Sequence, residues 1–420
     1  MQNALVWFRK DLRISDNECL LKAADNSFSV VPVYFNYSGP NEPDKIKPGK
    51  RSSFREHFLH ESLSELHDTI RRSGGKGLLV KDGQPEDEIL KLCRKYSIRK
   101  VFFASEPGPF EQEQEKAVIN ALALESVPFE IVHHNSLFEP NSLPFTIGNL
   151  PDIFTEFRKR VEGFLPYEVE KESKSTLYFA EYEEPDYQHF LPEGIRSCFS
   201  GGETQAWKRL DYYLFSSHLI STYKETRNGL LGEDYSSRFS PWLSLGCVNP
   251  RRILFEIKRY ERAFSANDST YWLVFELLWR EYFRWIMFKY QSKLFRSSGI
   301  KSKAPEIKYN PAVLEKWKNG KTGQPFIDAA MRELNRTGFM SNRARQNAAS
   351  YLVHDLKQSW LEGAGYFEQM LVDYDVSSNY GNWAYIAGVG NDPRPNRYFN
   401  VSRQAEIYDP KNAYVNYWLK

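Results

Sequence analysis

The chain has 420 residues, of which 41% are hydrophobic and 26% are charged, so it can bury a sizeable core and is expected to form two domains. Its formal net charge of +2 excludes a basic field over the whole surface, so any affinity for nucleic acid must come from a local patch. No apolar run is long enough to span a membrane, and the N-terminus lacks a signal-peptide pattern. The four cysteines form neither a Cys-x-x-Cys pair nor a cluster with histidine, which predicts a protein of the reducing cytoplasm without a bound metal.

The N-terminal part of the chain alternates short apolar segments with segments of helical period. Strands that alternate with helices form a parallel sheet covered on both faces, so residues 1–133 are predicted to form a Rossmann-like α/β domain with a five-stranded sheet. The Gly-x-Gly-x-x-Gly fingerprint is missing, because Gly74–Gly77 precedes a strand, so an ordinary dinucleotide site is not expected here. The predicted strands are residues 4–8, 29–35, 77–80, 100–104 and 128–132, and the predicted helices are residues 51–72, 85–96 and 111–125.

Residues 134–200 lose this periodicity and are rich in Pro, Glu and Tyr. Such a stretch predicts an interdomain connector, with one short helix near Ile153–Val161. Residues 201–420 then follow a helical period and contain nine of the ten tryptophans, which predicts an all-α second domain.

One helix of the second domain, residues 271–290, is apolar on nearly all sides and is expected at its centre. Within this helix Glu276 and Arg280 are four residues apart, and Trp279 lies one turn from Glu276. Taken alone, this spacing predicts an intrahelical ion pair beside a core tryptophan.

Residues 335–400 combine polar and charged side chains with the pattern of core helices. Charged side chains are rarely buried without partners, so this density predicts a buried polar ligand. For any single residue, a structural ion pair between Arg345 and Asp373 or Asp375, with Asn and Gly residues capping helices, remains the favoured interpretation. The residues that together favour a site are Asn342, Arg343, Arg345, Gln346, Asp373, Asp375, Asn379, Trp360 and Trp383.

Two sequences in this region, MRELNRTGFMSNRARQNAASYL and DYDVSSNYGNWAYIAGVGNDPR, resemble the flavin-binding core of the photolyase/cryptochrome family, and specifically its cryptochrome DASH branch. The resemblance covers nearly the whole chain, including WFRKDLRISDN, GGETQAWKRL and YKETRNGLLGEDYSSRFSPWLSLGCVNPRR. It implies an FAD cofactor in the helical domain and, in the α/β domain, an antenna that is commonly a folate such as methenyltetrahydrofolate. The antenna would lie near Glu106 and Glu111, although ordinary loop acids explain these two residues equally well.

The resemblance also assigns roles to residues of the helical domain. Asn379 would face the reactive edge of the flavin ring, Asp375 would hold its polar edge, and Glu276 and Trp279 would bind flipped pyrimidines beside it. A plain helix cap would look similar to the run that is assigned to the flavin diphosphate. The implied cofactor residues are Tyr223, Ser236, Ser237, Arg238, Phe239, Ser240, Glu276, Arg280, Arg345, Asp373, Asp375 and Asn379, and the implied DNA residues are Arg227, Glu276, Trp279, Asn342, Arg343, Gln346, Tyr385 and Gln404.

The activity that the resemblance implies is light-driven electron transfer from reduced FAD to a cyclobutane pyrimidine dimer, with Glu276, Asn379, Trp360 and Trp383 as the catalytic residues. Tyr385 and Gln346 stand where photolyases acting on duplex DNA have a tryptophan and a methionine. Each base–aromatic stack contributes about 1–3 kcal/mol, and extruding a base costs a few kcal/mol, so the smaller stacking surface predicts a preference for single-stranded DNA.

Trp383 and Trp360 match the inner and middle members of the family's electron-transfer chain. The expected outer tryptophan is missing near residues 307–309, so we hypothesise that Tyr309 or Trp317 completes the route, or that photoreduction is slow.

Three alternatives differ from this interpretation. A blue-light receptor that binds FAD and nucleic acid without repair is disfavoured by Glu276, Trp279 and Asn342, and by the lack of a tail after Lys420. A helical nucleic-acid binder without flavin leaves the acidic pair Asp373 and Asp375 unexplained, and the branch that repairs (6-4) photoproducts would need histidines within SNRARQN. The expected partner is dimer-containing DNA, mainly single-stranded, bound by a monomer.

Overall fold

The computed structural model describes residues 1–37, 51–167, 176–185, 197–394 and 397–420. Its N-terminal part contains a parallel sheet with strand order β3-β2-β1-β4-β5, which confirms the predicted five-stranded arrangement. A sixth strand of two residues, β6, comes from the predicted connector and pairs with β2. The strands are β1 (Gln2–Phe8), β2 (Phe28–Asn36), β3 (Leu79–Asp82), β4 (Ile98–Ala104), β5 (Phe129–Val132) and β6 (Tyr178–Phe179).

Four helices follow the strands of this sheet. The first of them, over Glu18–Asp25, is not among the predicted elements, and it begins where the side chain of Asn17 accepts the amide hydrogens of Cys19 and Leu20. The three predicted helices are present with ends shifted by one or two residues. The helices are α1 (Glu18–Asp25), α2 (Ser53–Arg72), α3 (Pro85–Lys95) and α4 (Pro109–Leu124).

The two faces of the sheet pack into different cores. Along β1, Val6 and Phe8 join a large core shared with the helical part of the chain, whereas Leu5 and Trp7 join a smaller core under α3 and α4. Alternate residues of a strand point to opposite faces, so β1 serves both cores. The sheet therefore packs directly against the part of the chain that holds the candidate site.

The helical part of the chain is organised around α10 (Asp268–Tyr290). This helix begins earlier than predicted, because Asn267 accepts the amide hydrogens of Ser269 and Thr270 at 2.8 and 2.9 Å. The other helices are α5 (Phe154–Val161), as predicted for the connector, then α6 (Glu203–Asp211), α7 (Tyr223–Thr226), α8 (Ser240–Leu245), α9 (Pro250–Ala263), α11 (Pro311–Lys318), α12 (Pro325–Thr337), α13 (Asn342–Ser350), α14 (Trp360–Met370), α15 (Val376–Ile386), α16 (Val401–Tyr408) and α17 (Ala413–Leu419).

The start of the connector is bound to α10 by a buried carboxylate. Glu281 accepts the amide hydrogens of Leu137 and Phe138 at 2.8 and 3.1 Å and the hydroxyl of Ser136 at 2.5 Å. Domain boundaries at residues 133 and 200 stay a prediction. Within the described ranges, no helix is long and apolar enough to cross a membrane, and no cluster of His, Cys, Asp and Glu is arranged to hold a metal ion.

Candidate functional site

A cavity of about 530 Å³ lies between α13, α14 and α15, where sequence reasoning expects a buried polar ligand. Four of its lining residues come from α13, and the others come from α14, α15 and the loop between them. The cavity thus brings together predicted residues that are up to 41 positions apart, from Asn342 to Trp383. The predicted residues on its wall are Asn342, Arg345, Gln346, Asp373, Asp375, Asn379 and Trp383.

The predicted pair of Arg345 and Asp373 is present on the cavity wall. Arg345 Nη2 donates to Asp373 Oδ2 at 2.9 Å, and Arg345 Nε donates to the carbonyl of Met340 at 3.0 Å. The other carboxylate oxygen, Asp373 Oδ1, is buried and has no hydrogen-bond partner among the described residues. Buried polar atoms are nearly always satisfied, so this oxygen fits a ligand that brings its own hydrogen-bond donor.

Asp375 caps α15 and also faces the cavity. Its Oδ1 accepts the amide hydrogen of Ser378 at 2.8 Å, so Asp375 is an N-cap, a role that sequence reasoning gave only to Asn and Gly residues. Burial would raise the pKa of Asp375, but Arg280, Lys10 and the hydrogen bonds from Ser378 together outweigh burial and lower it. The cavity therefore keeps a charged carboxylate on this wall.

Asn379 and Trp383 owe their positions to close packing between α14 and α15. The Asn379 side chain donates from Nδ2 to the carbonyl of Ala364 at 3.0 Å, which fixes the plane of its amide. A Cβ atom on Gly363 would lie 2.2 Å from Trp383 Cη2, so only glycine lets the indole lie against α14.

The run of residues 236–240 lies beside this cavity and is not part of its wall. Arg209 holds the run by donating to the carbonyls of Ser236 and Ser237, both at 3.0 Å. Arg238 adopts a left-handed backbone with φ 54°, and its guanidinium stacks on Phe339 at 4.8 Å. Arg345 stacks on Phe339 as well, at 5.1 Å, so the run and the cavity share this ring.

The remaining members of the run are Phe239, which is buried, and Ser240, which begins α8. Tyr223, which precedes the run in the sequence, is buried near Glu276. Burial and the Glu276 carboxylate together raise the pKa of its phenol well above the usual value. Arg238 Nε is also buried without a partner among the described residues, which leaves a donor beside the run for an anionic group.

The predicted ion pair between Glu276 and Arg280 is wrong. Glu276 pairs with Arg227, which reaches it from the end of α7, and Arg280 donates to the carbonyl and to the side-chain oxygen of Asn135, both at 2.9 Å. The i,i+4 spacing is correct, but both side chains find partners far away in sequence. Burial raises the pKa of Glu276, although Arg227 and Trp272 act in the opposite direction.

Trp279 and Tyr385 are neighbours, as the resemblance implies. Their rings meet edge to face, with centroids 5.7 Å apart. One face of Trp279 is stacked on Phe154 of α5, with a centroid distance of 3.6 Å and an interplanar angle of 12°. The connector therefore supplies a stacking partner that sequence reasoning missed, since nothing in the local pattern places α5 against α10.

Arg343 joins the group around Glu276 to α16. It donates to Asn228 Oδ1 at 2.8 Å and to Gln404 Oε1 at 3.4 Å, and its guanidinium stacks on Tyr408 at 4.4 Å. Asn228 follows Arg227 directly, so the predicted residues Arg227, Arg343 and Gln404 form one polar cluster. Neither Asn228 nor Tyr408 is predicted, because each is an ordinary polar or aromatic residue in its local sequence.

A second and larger cavity, of about 950 Å³, contains both predicted antenna residues. Glu106 is 1% exposed, accepts from Arg284 at 3.2 Å through Oε2, and leaves Oε1 without a partner among the described residues. Glu111 accepts from Lys10 at 2.9 Å. The aromatic walls of this cavity include Tyr37, Phe110, Phe295, Tyr374 and Tyr380.

The candidate electron-transfer residues lie in a group of aromatic rings. Trp317 is buried and meets Trp383 at 6.2 Å between centroids, so it is a neighbour of the predicted inner member. Trp360 is also buried, and its ring lies 6.5 Å from that of Tyr380. Tyr309 is 60% exposed. Trp317 therefore contacts the inner member, Trp383, whereas the expected outer member would follow the middle member, Trp360.

Comparison with known proteins gives the same architecture. The profile of the FAD-binding domain of DNA photolyase matches residues 272–420, and the DNA photolyase profile matches residues 4–174. The chain is 42% identical to the cryptochrome DASH of Xenopus laevis over 434 residues, covering 98% of this chain and 81% of the relative.

Solved structures of related proteins have the same fold. The Synechocystis cryptochrome superimposes with a TM-score of 0.91 at 38% identity, over 100% of this chain and 89% of that one. A class III photolyase from Agrobacterium tumefaciens gives a TM-score of 0.86 at 26% identity, over 100% and 86% of the two chains. The matched length and identity establish the relationship: the chain belongs to the cryptochrome DASH branch of the photolyase and cryptochrome family.

Proposed function

We propose that this protein is a photolyase of the deoxyribodipyrimidine type, which uses FAD and blue light to split cyclobutane pyrimidine dimers and prefers single-stranded DNA. The observation that carries the proposal is the cavity with Arg345, Asp373 and Asn379 on its wall, next to the group formed by Glu276, Trp279 and their partners. The two groups are connected because α13 carries Gln346 in the first and Arg343 in the second.

The cavity residues fit a flavin. The unpartnered Asp373 Oδ1 can accept an N–H group, and the guanidinium of Arg345 at 2.9 Å from Asp373 supplies positive charge beside a ring that carries electrons. Asn379 presents an amide of fixed plane. When bound, reduced FAD supplies the light-driven electron, and the side chains of the protein hold and orient the reacting groups.

Residues outside the cavity supply recognition of the lesion. Because burial raises the pKa of Glu276, its neutral carboxyl form becomes accessible and can donate a hydrogen bond to a pyrimidine carbonyl. Arg343 and Arg227 add positive charge for phosphates on the same side. Trp279 already stacks on Phe154, so only one of its faces remains for a base, which supports weak binding of duplex DNA.

We also propose that the larger cavity holds a folate antenna. The support is Glu106, whose buried Oε1 lacks a described partner and can accept the N–H groups of a pterin ring. The stacked rings of Tyr37 and Phe110, 6.0 Å apart, extend an aromatic wall against which a planar ligand packs. We expect a monomer in a reducing cytoplasm, which its four unpaired cysteines support.

The test is an absorption spectrum of the purified protein, followed by blue-light treatment of dimer-containing oligonucleotides. We expect bound FAD and repair of the single-stranded substrate well above that of the duplex. The Glu276→Ala variant, which has no side-chain donor, should keep its FAD and lose repair. Equal turnover of both substrates would refute the strand preference, and FAD binding without repair would support a photoreceptor instead.

A further inference from the structure

Tyr380 lies where an electron-transfer chain through Trp383 and Trp360 would continue. On α15, Tyr380 and Trp383 are three residues apart and share one face of the helix. On α14, Trp360 and Gly363 are also three residues apart, and Trp383 packs against Gly363. The ring of Tyr380 is 6.5 Å from that of Trp360 at an interplanar angle of 76°. The packing of the two helices thus places this phenol next to the middle tryptophan.

The hydroxyl of Tyr380 has a partner that can take its proton. It donates to Glu368 Oε2 at 2.8 Å, and both side chains are buried, with exposures of 8% and 6%. Burial raises the pKa of Tyr380, and the neighbouring carboxylate raises it further, so the phenol is protonated at rest. A buried phenol that donates to a carboxylate is arranged for coupled loss of an electron and a proton.

We propose that Tyr380 is the terminal electron donor of this chain and that Glu368 accepts its proton. This inference rests on the proposed function, because it requires bound FAD that is reduced through Trp383 and Trp360. It replaces Tyr309 and Trp317 as candidates for the missing outer member.

The step balances within the protein. With bound FAD supplying the light-driven oxidant, Trp383 would lose an electron, Trp360 would refill Trp383, and Tyr380 would give one electron to the Trp360 radical cation. The O–H bond of Tyr380 breaks, its proton moves to Glu368 Oε2, and a neutral tyrosyl radical remains. No net positive charge then stays on the buried tryptophan, which removes a large electrostatic cost in a medium of low dielectric constant. An external thiolate would finally give one electron to the tyrosyl radical and become a thiyl radical, while Glu368 returns the proton to the phenol oxygen.

Among the described residues, the competing branch lacks a proton acceptor. Trp317 contacts Trp383, and Tyr366 follows at 5.9 Å from Trp317. The hydroxyl of Tyr366, however, donates to Asn335 Oδ1 at 2.5 Å, and an amide oxygen is far too weak a base to take the proton. Oxidation of Tyr366 would leave a charged radical, so the hole is expected to settle on Tyr380.

When no antenna occupies the larger cavity, a reductant can reach Tyr380 through it. Tyr380 and Glu368 both line this cavity, together with Phe295, whose ring lies 4.3 Å from that of Tyr380. The two tryptophans before it are 1% and 3% exposed, so neither offers an external donor comparable access.

The test follows radicals in the full-length, FAD-loaded protein after a blue-light pulse, by time-resolved absorption and electron paramagnetic resonance. Wild type should show a tryptophan radical that converts to a neutral tyrosyl radical, more slowly in deuterated water. Tyr380→Phe should lose that tyrosyl signal and lower the yield of long-lived charge separation about tenfold, which corresponds to about 1.4 kcal/mol at the branching step. Glu368→Gln should keep the phenol and lose both the conversion and the isotope effect.

Tyr366→Phe is the matched control, because it removes a tyrosine hydroxyl from the competing branch and should behave like wild type. FAD content and melting temperature identify a variant that fails to fold, and Glu368→Gln tests the proposal independently of Tyr380→Phe. A tyrosyl radical that persists in Tyr380→Phe, or an unchanged Glu368→Gln, would overturn the inference. Failure of chemically reduced wild type to repair dimers would instead overturn the proposed function, while wild type that repairs dimers when chemically reduced but forms no tryptophan radical would overturn the inference alone.

Discussion

Replacing Gly363 by alanine tests how the inner tryptophan is positioned. The new Cβ would lie 2.2 Å from Trp383 Cη2 and 2.6 Å from Leu352 Cδ2, both in a packed interior, so the indole must move. Overpacking of this kind costs about 1–3 kcal/mol, while alanine in a helix gains about 1 kcal/mol over glycine. Gly365→Ala on the same helix is the matched control, because its added Cβ has no described atom within 4 Å apart from the adjacent residues and backbone of its own helix.

The difference between the two variants cancels the gain in helix propensity and leaves the overpacking cost of about 1–3 kcal/mol. Denaturant unfolding of Gly363→Ala and Gly365→Ala in parallel measures this overpacking cost. Flavin fluorescence measures the FAD affinity of each variant. We expect Gly365→Ala to be at least as stable as wild type and Gly363→Ala to be less stable than Gly365→Ala. Because Trp383 lines the cavity, about 1.4 kcal/mol of that cost in the FAD-bound state would weaken FAD binding tenfold. Equal stability and equal FAD affinity of the two variants would refute the close packing of Trp383 against Gly363.

Two further changes probe buried charges. Asp373→Asn leaves Arg345 without its carboxylate and should weaken FAD retention and reduce stability by about 1–3 kcal/mol. This cost is below that of breaking a fully buried pair, because the Arg345 side chain is 22% exposed. Asp234→Asn is the control: its carboxylate is 48% exposed in an ion pair, and its loss should change neither FAD retention nor stability in the same fluorescence and unfolding assays. Burial raises the pKa of Glu333 to about 8, so the folded state holds a proton that the unfolded state has lost, and stability relative to Glu333→Gln should fall as the pH rises from about 5 to about 8, by about 1.4 kcal/mol per pH unit. Unfolding curves of wild type and Glu333→Gln at about pH 5 and about pH 8 measure this. An equal difference in unfolding free energy between the two proteins at both pH values would contradict the prediction.

Features that depend on local spacing were predictable from the sequence. The strand pattern of the first part and the apolar helix α10 follow from periodicity, because a period of two or 3.6 residues is visible within a short window. The pair of Arg345 and Asp373 was predictable for another reason, since two opposite charges in core-like segments need each other. These features required no knowledge of which distant elements meet.

The wrong predictions concern residues whose partners lie far away in the sequence. Glu276 and Arg280 satisfy the rule for an intrahelical pair, yet Arg227 and Asn135 bind them from 49 and 145 positions away. Two side chains one turn apart gain only about 0.2–0.5 kcal/mol from pairing at a helix surface, so any buried partner outcompetes that contact. The helix spacing was read correctly, and the tertiary contacts decided the partners.

The missing outer tryptophan shows how such contacts can also supply a function that local sequence conceals. Tyr380 was part of the motif that identified the flavin site, but nothing in its neighbours indicated a redox role, because Glu368 lies 12 positions away on another helix. A phenol conducts an electron usefully only where a base receives its proton, and the packing of α14 on α15 creates that pairing. The same packing fixes Trp383 through Gly363, so one helix contact sets both ends of the proposed route. A change that separates α14 from α15 should therefore impair photoreduction at both ends, even where every aromatic residue of the chain is retained.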